Sequence, residues 1–286
     1  MGNMTPILTI PPTLKENVGI YAKNLKTGEE IKICPDKVFG IASIIKIGIA
    51  VALLDLVQKG RLSLDQKIKI EKKKLYSNPG RDSGILSGYP DGSLVTIDVL
   101  MNLMISVSDN AATNALLSLL PARKVNGFLK NNGFLNTKLN VNQLDMFLFS
   151  ESQKDLGDST PAEMGKLLES LVENKILNKK YSEKLISLMS LETVSTKIGR
   201  FLPTPKNVTD EKAEIVLFAS KGGVFPRLKN NVDVAIIKTK KGEEIIICIF
   251  TNGIDDKDPS LRNASPEHAS TKLIANLGKD IFEKLK

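Results

Sequence analysis

Apolar and polar positions alternate or cluster differently in three stretches of this chain. In the first, Asn17 to Leu25 and Glu30 to Cys34 read as short strands, and Lys26-Thr27-Gly28 between them reads as the turn of a hairpin. Ile44 to Val57 is apolar at almost every position and ends at Lys59-Gly60. That pattern predicts a long helix buried nearly all round. Ser63 to Glu71 reads as extended. Tyr76 to Gly92, rich in Gly, Ser, Pro and Asp, reads as loop.

The second stretch is helical. Thr96 is a predicted N-cap, with Ile97, Leu100, Met101 and Met104 on one face. Further helices are predicted over Ala111 to Leu120, Ala122 to Asn131 and Ser182 to Ser190. Thr160-Pro161-Ala162-Glu163 has the form of a capping box with proline at the first helical position, opening a helix to about Asn174. In the third stretch β-branched runs return. Glu214 to Ser220, Val232 to Thr239 and Glu243 to Thr251 are predicted strands, with Lys240-Lys241-Gly242 turning between the last two. Pro266 to Leu285 closes the chain as an amphipathic helix. Helices inserted between strands of one antiparallel sheet make an α/β (α+β) fold of two lobes. We expect a single domain, with a sheet lobe of about 13–42 and 191–286 and a helical lobe of about 43–190.

Composition narrows the function classes. At 42% hydrophobic and 25% charged, the 286 residues are ordinary for a globular protein. The net charge, 40 − 32 = +8, is spread over lysine-rich faces such as Glu71-Lys72-Lys73-Lys74. No nucleic-acid motif accompanies it and aromatics are few, which argues against a nucleic-acid partner. The two cysteines, Cys34 and Cys248, lie in apolar strand-like runs with no metal-ligand spacing, and both are expected to be buried, unbridged thiols. The single histidine, His268, is expected on a helix surface. No metal site or cofactor is expected. No stretch reaches the length of a membrane span. The apolar run Ile7-Leu8-Thr9-Ile10 is too short for a signal peptide, so the chain is expected to be cytoplasmic or to have lost a leader.

Candidate chemistry lies in three short motifs. Ser43-Ile44-Ile45-Lys46 is an S-x-x-K, Ser108-Asp109-Asn110 an S-D-N, and Lys221-Gly222-Gly223 stands where a K-T-G would fall. Their order is that of penicillin-recognising serine hydrolases. Ser43 and Lys46 lie one helical turn apart, on one face. A lysine buried there is pushed toward its neutral form and is then able to take the serine proton.

Together with flanking segments, these motifs resemble class A β-lactamases and their serine-hydrolase relatives over nearly the whole chain. Gly60 to Asp65, Ser83 to Leu86, Ile105 to Asn114 and Ser159-Thr160-Pro161 carry the rest of the likeness. The resemblance implies a β-lactamase-like fold, with a five-stranded antiparallel sheet flanked by helices and an inserted helical lobe. It implies Ser43 as nucleophile, Lys46 as base and Ser108 as proton relay to the leaving nitrogen. It also implies Asn110 holding Lys46 or the substrate amide, Lys221 attracting the substrate carboxylate, and Gly223 allowing close approach to the strand. The N–H groups of Ser43 and Val224 would form the oxyanion hole, while Asp109 would be structural. The implied substrate is a small molecule, a β-lactam or a D-Ala-D-Ala-like peptide, and the implied enzyme is a monomer that is secreted or in the cell envelope.

Two departures from the family pattern stand out. Gly222 replaces the hydroxyl residue of K-T-G, and Arg227 or Lys229 are candidates to compensate by charge. In the Ω-loop, Leu148 falls where the family places the glutamate that activates the deacylating water, leaving Glu151 and Asp145 as substitutes. The competing readings are a D-Ala-D-Ala peptidase or esterase, a penicillin-binding protein with slow deacylation, and a non-catalytic sensor of muropeptides or β-lactams.

Overall fold

The structure, a computed structural model, describes residues 8, 10–75, 84–144, 155–192, 197–204, 213–257, 260 and 265–286. The positions discussed above as the Ω-loop, Asp145, Leu148 and Glu151, lie outside the described residues.

Strands from both ends of the chain share one sheet. They are β1 (Val18–Asn24), β2 (Glu30–Ile33), β8 (Ile215–Phe225), β9 (Asn230–Thr239) and β10 (Glu244–Thr251). The order is β2-β1-β10-β9-β8, with antiparallel pairing throughout. Val18 sits opposite Thr251, so the first strand closes against the last. Short pairs complete the strands: β3 (Phe39–Gly40), β4 (Lys67–Lys69), β5 (Leu94–Thr96), β6 (Lys138–Leu139) and β7 (Gly157–Ser159).

Both faces of the sheet are covered, which explains why β9 and β10 read as nearly unbroken apolar runs. Val232, Val234 and Ile236 point into the core shared with the inserted helices. Ala235 and Ile237, one residue out of step, point into a second core with Ile274, Leu277, Ile281 and Phe282 of the terminal helix. The helices are α1 (Ile45–Gln58), α2 (Lys72–Leu75), α3 (Ile97–Ser106), α4 (Asn110–Leu119), α5 (Ala122–Asn131), α6 (Pro161–Val172), α7 (Lys179–Ser190) and α8 (Ala269–Leu285). Among them α1 is buried on every side, including Lys46 and Asp55. This sheet and its helices match the α/β architecture expected of the sequence.

Local rules set several boundaries. Thr96 caps α3 by accepting Val99 N–H at 3.3 Å. Thr160 caps α6 through Glu163 N–H at 3.1 Å. The Glu163 carboxylate does not complete a capping box; it accepts instead from Asn136 N–H at 2.9 Å and Thr137 Oγ1 at 2.7 Å. Both bonds tie α6 to the segment leading into β6.

Two expectations are corrected. Cys34 is exposed, because β2 ends at Ile33 and the chain turns there with φ of +43°. Cys248 is buried in β10 and both thiols are free. His268 is not on a helix surface. It is 4% exposed and caps α8, its Nδ1 accepting Ser270 N–H at 3.2 Å. The first turn of α8 lies against β9, where Asn231 Nδ2 donates to Ser270 Oγ and Thr271 Oγ1 at 2.9 Å each. Among the described residues no helix is long and apolar enough to cross a membrane.

Candidate active site

Ser43 lies in a 3-10 turn, Ala42–Ile44, that runs straight into α1. The residue before it, Ala42, has φ of +45°. One turn further on, Lys46 is fully buried. Its Nζ donates to Ser108 O and to Asn110 Oδ1, each at 2.7 Å, and lies 3.2 Å from Ser108 Oγ. The two carbonyl acceptors engage two N–H groups, and the third position on Nζ, a donor in the ammonium and a lone pair in the neutral amine, is left for a hydroxyl.

Asp109 holds the S-D-N segment in place. Its Oδ1 caps α4 by accepting Ala112 N–H at 2.9 Å. Its Oδ2 accepts Ile85 N–H and Leu86 N–H, both at 2.8 Å. These three bonds brace Ser108, which adopts φ of +56°. For a non-glycine residue that conformation is costly and needs such support.

Strand β8 supplies the opposite wall. A side chain on Gly223 would begin 2.8 Å from Ile41 O and 3.0 Å from Ser43 N. The absence of one lets β8 lie directly on the Ser43 turn. Val224, next along the strand and half-buried, pairs in register with Asn231. Lys221 is 1% exposed, with Nζ donating to Gly222 O at 3.1 Å and standing 3.9 Å from Glu192 Oε1. Burial pushes its ammonium pKa down, against the pull of Glu192 and Asp233.

Behind Gly222 lies a charge cluster that the sequence did not reveal. Lys197 Nζ donates to Gly223 O at 3.1 Å and Val232 O at 3.0 Å. A side chain on Gly222 would begin 3.1 Å from Lys197 Nζ, 3.5 Å from Asp233 Oδ1 and 3.7 Å from Glu192 Oε1. Glu192 also accepts from Ser220 Oγ at 2.8 Å and Gly222 N–H at 3.3 Å. Burial pushes Lys197 down and Asp233 up to about 7. The cation behind Gly222 is thus Lys197 rather than Arg227 or Lys229. Both of those are exposed, and Lys229 pairs with Asp255 at 2.5 Å. Lys197 carries no motif; only the path of the chain between α7 and β8 brings it there. Among the described residues no group of His, Cys, Asp and Glu is arranged to hold a metal ion.

Comparison with known proteins identifies the family and the fold. The family model described as "Beta-lactamase enzyme family" matches residues 10–285. The chain is 30% identical to "Beta-lactamase VEB-1" of Pseudomonas aeruginosa, over 82% of this chain and 76% of that one. Among solved structures, a β-lactamase from Chitinophaga pinensis superposes with a TM-score of 0.79 at 23% identity, covering 94% of each chain. PBP-A superposes with a TM-score of 0.77 at 22% identity, covering 96% of this chain and 91% of its own. A mutant of PBP-A has been captured as an acyl-enzyme complex with penicillin G.

Proposed function

This chain belongs to the β-lactamase enzyme family, and from that membership we propose how its residues open a β-lactam. Ser43 Oγ attacks the lactam carbonyl and forms an ester, while the C–N bond breaks. Lys46, in its neutral form, takes the Ser43 proton. Ser108 passes a proton to the departing nitrogen. Water then cleaves the ester, which frees Ser43 and releases the opened product. The observation that carries this reading is the buried Lys46 amine held between Ser108 and Asn110, one turn from Ser43.

The wall opposite Ser43 supports the same reading. With Gly223 against the Ser43 turn, Ser43 N–H and Val224 N–H are proposed as the oxyanion hole. Each such donor is commonly worth about 3–4 kcal/mol of transition-state stabilisation. Lys221 draws the substrate carboxylate. Lys197 adds positive charge behind Gly222, where other members of the family carry a hydroxyl. On the family resemblance alone we further propose a monomer that works in the cell envelope or outside the cell. Sedimentation and cell fractionation check those two points.

Stopped-flow acylation by a chromogenic cephalosporin tests the role of Lys46. Loss of a general base costs about 10²–10⁴ in rate. Lys46→Ala is expected to slow acylation within that range while the protein stays folded. Unchanged acylation would remove Lys46 from the mechanism.

A further inference from the structure

Ser43 follows a residue in an unfavourable conformation. The φ of +45° at Ala42 lies in the left-handed region, which a residue with a side chain occupies only when its surroundings enforce it. The enforcing group is the carboxylate of Asp155. Its Oδ1 accepts Ala42 N–H at 2.7 Å and its Oδ2 accepts from Asn230 Nδ2 at 2.7 Å. Gly157 N–H approaches Oδ1 at 3.4 Å. Asp155 is only 3% exposed. Burial raises its pKa, while the bonds from Asn230 and Ala42 act the other way.

The surrounding backbone makes room for this carboxylate. A side chain on Gly40 would begin 2.3 Å from Asn230 Nδ2 and 2.7 Å from Asp155 Oδ2. Ile41 N–H donates to Gly157 O at 2.8 Å, so the strand before the turn is pinned to the same segment. The carboxylate therefore joins three pieces of chain: the turn that carries Ser43, the residues entering β7, and the first residue of β9. Among the described residues Asp155 bonds only to groups outside the reacting set.

We propose that Asp155 is a positioning residue for Ser43, holding the turn in the conformation that presents the hydroxyl and the Ser43 N–H together. The proposal rests on Ser43 being the nucleophile. Its physical basis is that a displacement of about 1 Å in a reacting group costs about 10² in rate.

Exchange of the two partners tests it. In Asp155→Asn a single oxygen replaces the two that serve Asn230 and Ala42; when it accepts from Asn230 Nδ2, an amide N–H₂ faces Ala42 N–H, donor against donor, and the turn loses its anchor. The acylation rate constant of Ser43 with a chromogenic cephalosporin is expected to fall about ten- to a hundredfold. In D155N/N230D the donor and acceptor are exchanged, Ala42 N–H regains an acceptor, and acylation is expected to return to within about threefold of wild type. Thermal unfolding of each variant is followed in parallel. If D155N does not fold, D155A/N230A removes both polar groups without leaving two donors in contact, and its folded fraction should show the same slowing. Variants that lose stability yet acylate at the wild-type rate would overturn the proposal, as would an exchange that restores stability but not acylation. A wild-type protein that takes no acyl group would overturn the Ser43 reading and this proposal with it.

Discussion

Lys197 Nζ stands 3.1 Å from the point where a side chain on residue 222 would begin, so Lys197 and Gly222 fit one another. A hydroxyl residue at 222 would meet the buried Lys197 side-chain nitrogen, already bonded to two carbonyls. The two positions should therefore be energetically coupled. In a double-mutant cycle of Gly222→Thr and Lys197→Met, kcat/KM for a carboxylate-bearing penicillin is expected to fall in each single variant. The double variant should lose less than the sum, with a coupling of about 0.5–3 kcal/mol. Strict additivity would show that the pair acts independently.

Asp233 carries a pH signature. Its carboxyl is pushed from 3.8 to about 7 by burial, so the folded protein holds a proton there that the unfolded chain releases. The stability contributed by this proton is full below about 4 and is lost as pH rises through about 7. Asp233→Asn has no such proton to lose. The melting temperature of D233N relative to wild type should therefore climb between pH 4 and 7 and level off above. A difference that stays flat, or falls, over that range would contradict the raised pKa.

Asp109 makes three main-chain bonds while 1% exposed. Asp109→Ala removes a helix cap worth about 1 kcal/mol and leaves two more N–H groups unpaired at about 1–3 kcal/mol each. Unfolding in urea should show a loss of several kcal/mol. Acylation should also slow, because the left-handed Ser108 loses its brace. Wild-type stability in D109A would refute the structural role.

The two thiols should differ in the native protein. Exposed Cys34 should react with a thiol reagent at one equivalent per chain, and buried Cys248 only after denaturation. Two fast equivalents under native conditions would contradict the placement of Cys248 in β10.

Much of this architecture is readable along the chain, for definite reasons. The apolar run of α1 and those of β9 and β10 are long because those elements are covered on all sides. Thr96 and Thr160 mark helix starts because capping is a local interaction. Ser43, Lys46, Ser108, Asn110 and Lys221 stand out because their motifs are short and ordered. Lys197, Glu192 and Asp155 do not stand out, since each meets its partners across a large gap in sequence and none belongs to a pattern. The two-residue strands at Phe39 and Lys138 are too short to show periodicity. His268 reads as a helix start, but nothing local reveals that β9 packs against that turn.

Deacylation is the step on which the Ω-loop sequence bears. With Leu148 in the glutamate slot, a penicillin is expected to give a burst of one equivalent followed by turnover slowed by about 10²–10⁴ relative to an enzyme with a working base. Fast steady-state turnover with no accumulated acyl-enzyme would point to another base. Alanine substitutions of Glu151 and Asp145 would then identify it, since only the true base converts fast turnover into a trapped ester.

The most direct test of the account is the mass of the protein after brief exposure to penicillin. Wild-type chain should gain the mass of one penicillin, and peptide mapping should place it on Ser43. Ser43→Ala, folded as judged by circular dichroism, should gain nothing. An equal adduct on the S43A chain would show that some other group is the nucleophile.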